Sequence, residues 1–327
     1  MKFAQAVLEF LDHQRSRGLA PGTIRAHRSS LKLFGDVIGD IQLKHVTPKH
    51  VDQVFLAYGW SPSTRNTKIT QFKTFFYWAA GRGLIRSTAN PMFGWRLGKV
   101  PEVDRTRIPV QEWSKLFQLT EHPLEEAILS LGLFLFLRSG ELQQLQLKHV
   151  HLADSEIEIY RPKTLEWDTM PISTELDAYL RKHLTWLAEK GVASPEHYLL
   201  PTRRRDLEKD EDHRWIAGTG SIYPDRPISR PFRYVQRVLE RAGYDTFREG
   251  EHTLRRSGAR AYFDQLAEGG YDGALRRVQA MLGHKQSQTT EIYLGLSLDR
   301  RARNLAIKGK PMFPELQNAK QLRAVHG

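Results

Sequence analysis

Three short stretches hold the side chains most able to do chemistry together: His252-Thr253-Leu254-Arg255, Leu282-Gly283-His284 and, nine residues later, Tyr293. His252 and Arg255 stand three apart, so on a helix they share one face. The second histidine and the tyrosine follow within one further helical segment. There is no Cys, no His-Glu-x-x-His and no paired carboxylate, so no metal-ligand spacing accounts for the set. Cations, imidazole and a phenol suit one chemistry well: holding a phosphodiester and attacking it with the phenol oxygen. That attack makes three demands. Charge developing on the non-bridging oxygens must be stabilised, the leaving 5′ oxygen must gain a proton, and the phenol must lose one.

Two upstream pieces complete the pattern. Leu137-Arg138-Ser139-Gly140-Glu141-Leu142 follows a long apolar run, and Lys163 lies between two segments of alternating polarity. In this order the pieces resemble the tyrosine recombinases, the phage integrase family. That family shows an Arg in a Leu-Arg-x-Gly-Glu-Leu context, a Lys in a β-hairpin, then His-x-Leu-Arg, Leu-Gly-His and a nucleophilic Tyr. Each piece alone is weak, and the ordered set is specific. The match covers roughly the last two thirds of the chain, and the first third resembles the family's DNA-clasping domain.

The resemblance implies a role for each residue. Tyr293 is the nucleophile. Arg138 and Arg255 clamp the phosphate, since a planar guanidinium reaches two oxygens at once and stays charged. Lys163 protonates the leaving oxygen, with Lys148 as an outside rival. His252 and His284 donate to the phosphate or carry the phenol proton. Glu141, three residues after Arg138, orients it. The product is a 3′-phosphotyrosyl link and a free 5′-OH, formed without metal, ATP or other cofactor. Blander readings stand beside these. A turn Lys is usually solvated, a lone His is usually structural, and a lone helical Tyr is usually core; Tyr262 and Tyr271 sit nearby at the wrong spacing. One position departs from the family, which often has a second His directly after the catalytic Arg where this chain has Arg256.

Composition narrows the partners. The chain has 327 residues and a net charge of +12, very unevenly spread. Residues 1–100 hold 15 Lys and Arg against 5 Asp and Glu, while the rest holds 34 against 32. A cationic region beside a balanced one points to a polyanion such as nucleic acid. No apolar run of membrane-spanning length and no secretory leader is visible, so the expectation is a cytoplasmic protein, nucleoid-associated and acting on DNA.

Periodicity supplies the elements that must position these residues. Helices are expected over about 2–17, from a cap at Thr23, from Thr47-Pro48, and from Ser63 or Thr64 to Gly81. On the exposed faces Arg25, Arg28, Arg65, Lys68 and Lys73 would contact DNA phosphates, although a solvated face is an equal reading for any one of them. Residues 1–93 are expected to form a helical core-binding (SAM-like) domain and 94–107 a linker. Residues 108–300 are expected to form the catalytic domain, and 301–327 a tail that docks on a neighbouring protomer. Within the catalytic domain we expect helices at 110–119 and 123–137, the second buried and delivering Arg138 at its end. A strand pair at 156–160 and 167–172 follows, then a helix over 173–190. Residues 202–220 read as a loop, and a helix capped by Ser229 comes next. Helices starting at His252, near 273 and near 287 complete the domain.

The fold expected is therefore mainly α with a small antiparallel sheet. The function expected is a site-specific, integrase-like DNA recombinase. It would act as a homotetramer on double-stranded attachment-type core sites, with an accessory bending or directionality factor, in a setting such as viral genome integration. Lacking room for the extra N-terminal domain of many family members, it is expected not to need distant arm-type sites. An Xer-like resolvase or a transposon recombinase is the alternative, with a type IB topoisomerase and a catalytically dead DNA-binding regulator behind them.

Overall fold

The chain divides into two compact units, Met1–Val103 and Asp104–Gly327. A computed structural model describes residues 1–101, 103, 105–162, 164–204, 207–209, 215–217, 220–247 and 249–296, with backbone alone at 207–209 and 215–217. Lys163, the 301–327 tail and part of 202–220 lie outside the described residues. The chain is mainly α with small antiparallel sheets.

The first unit holds four helices: α1 (Phe3–Ser16), α2 (Pro21–Ile38), α3 (Pro48–Tyr58) and α4 (Pro62–Gly81). Their apolar stripes meet in an aromatic core in which Phe10, Phe34, Phe72, Phe75 and Phe76 are fully buried. The rings pack edge to face, as quadrupoles prefer. Phe34 and Phe72 have centroids 4.9 Å apart, and Phe75 and Phe76 5.0 Å apart. Part of the expected linker belongs to this unit. Asn66 on α4 exchanges two hydrogen bonds with the Gly98 backbone, at 2.7 and 2.9 Å.

The second unit contains α5 (Trp113–Gln118), α6 (Pro123–Phe134), α7 (Ser139–Leu142), β1 (Val150–His151), β2 (Glu156–Arg161), β3 (Glu166–Pro171) and α8 (Thr174–Glu189). Then come β4 (Pro201–Arg204), β5 (Leu207–Lys209), β6 (Trp215–Ala217), β7 (Ser221–Pro227), α9 (Pro231–Arg241), α10 (Glu251–Ala267), α11 (Tyr271–Leu282) and α12 (Ser287–Leu294). Nearly every residue of α6 is buried, as an all-round apolar helix must be. It packs against α8, α9 and α10. The approach to α10 is close because glycine lies on each side of it. A Cβ at Gly258 would fall 2.0 Å from the Leu133 carbonyl oxygen, and one at Gly132 2.8 Å from Leu254. Strands β1, β2 and β3 form one antiparallel sheet. On β2, Ile157, Ile159 and Arg161 face inward with the period-two alternation of a strand.

Four expectations are corrected. The helix read over 123–137 stops at Phe134. Phe136 takes a left-handed conformation, with φ of 55°, and Arg138 opens a new short helix instead of closing the long one. Bulky residues avoid that conformation; here the turn hands the Phe136 carbonyl to Arg255, which donates to it. Second, the helices expected from a cap at Thr23, from a start at Ser63 or Thr64 and from a cap at Ser229 begin earlier or later, at Pro21, Pro62 and Pro231. Proline's fixed φ and missing N–H suit the first helical position better than any capping hydroxyl nearby. Third, 202–220 is not simply a loop: β4 pairs with β7 and β5 with β6. Its charged residues hide the alternation by which a strand is recognised. Fourth, β1 adds a strand to the expected pair; at two residues it is too short to show a period.

Candidate active site

Arg138, Glu141, His252, Arg255, His284 and Tyr293 converge within the second unit, and a single carboxylate gathers the arginines. Glu141 is 2% exposed and faces three guanidiniums. Its Oε1 accepts from Arg138 Nη1 at 2.7 Å and lies 3.6 Å from Arg161 Nη1. Its Oε2 accepts from the Arg138 main-chain N–H at 2.8 Å and lies 3.7 Å from Arg255 Nη1. The main-chain bond caps α7, so the residue that holds the arginine side chain also fixes the backbone it hangs from.

A second anchor is the C-terminal end of α11. The Leu282 carbonyl accepts from Arg138 Nη2 at 3.1 Å and from Arg255 Nη2 at 2.7 Å. Carbonyls at that end have no intrahelical partner and carry the negative pole of the helix. Gly283 follows in the left-handed conformation, with φ of 61°. A Cβ there would approach Arg161 Nη1 to 3.1 Å, so glycine lets the chain turn over the cation. The turn brings His284 to its place, where Nδ1 lies 3.0 Å from Thr290 Oγ1.

Arg255 is 1% exposed, and burial pulls its guanidinium down to about 10, which leaves it charged at neutral pH. His252 is exposed at the start of α10, and its pKa is lowered from the ordinary value by desolvation first and then by Arg255, Arg256 and Arg138. Tyr293 is half-buried on α12. Its ring meets that of His284 edge to face at 5.5 Å, and Arg255 Cζ lies 5.8 Å from its centroid. The phenol donates to the His252 carbonyl oxygen at 3.4 Å. Burial raises the phenol pKa while Arg255, Arg256 and Arg138 oppose the rise.

Residues 107–299 match the family model described as the phage integrase family, which is more than half of the chain. This chain belongs to the phage integrase family. Curated relatives of this chain include the tyrosine recombinase XerC of Chromobacterium violaceum, 24% identical over 91% of this chain and 92% of that protein. XerC of Lactobacillus delbrueckii subsp. bulgaricus is 25% identical over 96% and 99%. Among solved structures, the lambda integrase dimer bound to a COC′ core site has the same fold, with a TM-score of 0.66 at 19% identity over 90% of this chain and 95% of that one. XerH bound to a palindromic difH substrate gives 0.61 at 17%, over 90% and 81%.

Several sequence readings are refined. Lys163 lies outside the described residues, while Lys148 pairs with Glu196 at 2.7 Å. Tyr262 and Tyr271 pack on Phe136 and Phe263. In the first unit Arg25 and Arg28 are exposed and Lys73 is half-buried. Arg65 lies over the rings of Phe55 and Trp95, at 5.3 and 5.5 Å. Lys68 donates to Ser30 at 2.6 Å, and burial lowers its pKa. Sequence reasoning missed Arg161, which is 5% exposed and bonds Asp168 at 2.8 and 2.5 Å and the Met281 carbonyl at 3.0 Å. Its signal was available: it occupies the third inward position of β2, where a charge needs a partner.

Proposed function

We propose that this site-specific recombinase cuts one strand of duplex DNA by attack of the Tyr293 oxygen on a phosphodiester held by Arg138 and Arg255. The observation that carries the reading is the convergence of one phenol, two imidazoles and a guanidinium pair fixed by a shared carboxylate and a shared carbonyl. Fixed cations stabilise charge as it develops and need no reorganisation. A bond forms between the Tyr293 oxygen and phosphorus, and the bond to the 5′ oxygen breaks. The phenol starts protonated because burial raises its pKa. Its proton passes to an imidazole, His252 or His284, and the Lys163 ammonium supplies the proton for the leaving oxygen. The ester keeps the bond energy, so a 5′-OH from a second strand reverses the step on a new partner.

In the same reading residues 1–93 clasp the core site, with Arg25, Arg28, Arg65, Lys68 and Lys73 toward the backbone, and 94–107 link the domains. Four protomers assemble on two duplexes, because exchange of both strands of two duplexes needs four nucleophiles, and the 301–327 segment docks on a neighbour. An accessory bending or directionality factor sets the direction, and the work is done in the cytoplasm on DNA. Relatives named XerC stand beside the lambda integrase fold, so an Xer-type resolution role competes with viral integration. The pair of DNA sites that yields product separates the two.

The test is covalent trapping. Wild type and Tyr293→Phe are incubated with nicked duplexes tiled across the DNA flanking the gene and run on denaturing gels. An adduct with wild type alone is expected. An adduct that persists in the Phe variant would overturn the nucleophile, and band shifts without any adduct would favour a non-catalytic binder.

A further inference from the structure

Three residues with no part in the chemistry above, Thr106, Arg107 and Ile108, are fastened to two of the helices that carry the site. The Thr106 carbonyl accepts from Arg256 Nε at 3.3 Å, and the Ile108 N–H donates to Ser257 Oγ at 2.8 Å. Arg256 and Ser257 directly follow Arg255 on α10. Between those two bonds Arg107 reaches α12. Its guanidinium lies against Gly295, where a Cβ would meet Nη2 at 1.9 Å and Cζ at 2.5 Å. Gly295 is the left-handed residue that closes α12, two positions beyond Tyr293. A second cation reaches the same end from α10, where Arg260 Nη1 donates to the Leu294 carbonyl at 3.2 Å.

Helix α12 needs such help. It has eight residues, of which only Thr290 and Leu294 are fully buried. Two turns do not hold a helix in water, since the cost of the first turn is recovered only over a longer run. Cations at the C-terminal end suit its unpaired carbonyls and its negative pole.

We infer that Arg107 is a positioning residue for the nucleophile: it docks the C-terminal end of α12 against α10 and so sets where the Tyr293 oxygen stands relative to Arg138 and Arg255. The inference deepens the recombinase reading and rests on it for the use made of that position. It also gives Arg256 a task. The residue bonds Glu249 at 2.7 Å and the Thr106 carbonyl, so it holds the strap in place. The segment that joins the two units ends in this strap.

The test uses full-length Arg107→Ala, Gly295→Ala and the double variant. Amide hydrogen exchange across 287–294 is read first, because it needs no DNA. Single-turnover cleavage of the nicked duplex trapped above and retention of that duplex on native gels follow. In Arg107→Ala, exchange over 287–294 should rise about tenfold while that of α6 stays as in wild type. Cleavage should fall between about tenfold and a hundredfold with DNA retention unchanged, since a displacement near 1 Å is enough. Gly295→Ala should cost less cleavage in the Arg107→Ala background than alone, because the group its Cβ meets is gone. Unchanged exchange at 287–294 would overturn the inference. So would a joint loss of α6 protection, DNA retention and cleavage, which marks a merely structural residue. If wild type gives no adduct, the recombinase reading fails, and exchange alone decides the strap.

Discussion

At the residue scale, the site turns on one buried acid. Glu141 answers Arg138, Arg161 and Arg255 at once, and removing one partner of a buried charge cluster strands the others. Glu141→Gln should therefore lower the stability of the second unit by about 3 kcal/mol, read as a shift in its urea unfolding midpoint. A shift within the noise of a surface substitution would show that the arginines are balanced elsewhere. His252 sets the pH dependence. Desolvation and three guanidiniums lower the His252 pKa from its ordinary value, so its neutral form predominates above that value. Cleavage at limiting protein should stay level from pH 8 to 6.5 and fall in more acid solution, as measured by single-turnover rates. An acid limb centred above 6.5 would contradict the assignment. Glu141 and Arg138 were legible because three residues on a helix fix them as neighbours. Arg161 was not read, although its inward place on β2 marked it, because a charge in an alternating strand is ordinarily given to the exposed face.

At the element scale, the long apolar helix, the hairpin and the helices of the motifs were all visible as periods. What the periods left out is how the helices end. Phe136 breaks α6 through a conformation disfavoured for its side chain, and the partner that makes it worthwhile, Arg255, lies 119 positions away. Three helices start on proline where a hydroxyl cap looked as good. The strands within 202–220 are short and set among charged residues, so no period announces them. The contact between α6 and α10 has a similar long-range basis, since nothing local asks for glycine at 258. Gly258→Ala should force the helices apart at the Leu133 carbonyl and cost about 3 kcal/mol, seen as a fall in the melting temperature of the second unit. An unchanged melting temperature would mean that α10 does not lie so close.

At the scale of the whole molecule, charge and chemistry are divided between the two units. The first third carries an excess of ten cations and the remainder an excess of two. Retention of duplex DNA should weaken steeply with salt, and Arg25→Ala should reduce the slope of log affinity against log salt by about 1 without changing sequence preference. An unaltered slope would take Arg25 off the DNA. The active site is itself divided in firmness. Arg138 and Arg255 are set by Glu141, by the Leu282 carbonyl and by the packed bodies of α6 and α10. Tyr293 rides on two turns of helix with two fully buried side chains. In the proposed reaction, then, gripping the phosphate and committing to the cut become separable steps: the groups that would grip are anchored from several sides, while the group that would cut sits on a short, lightly buried helix.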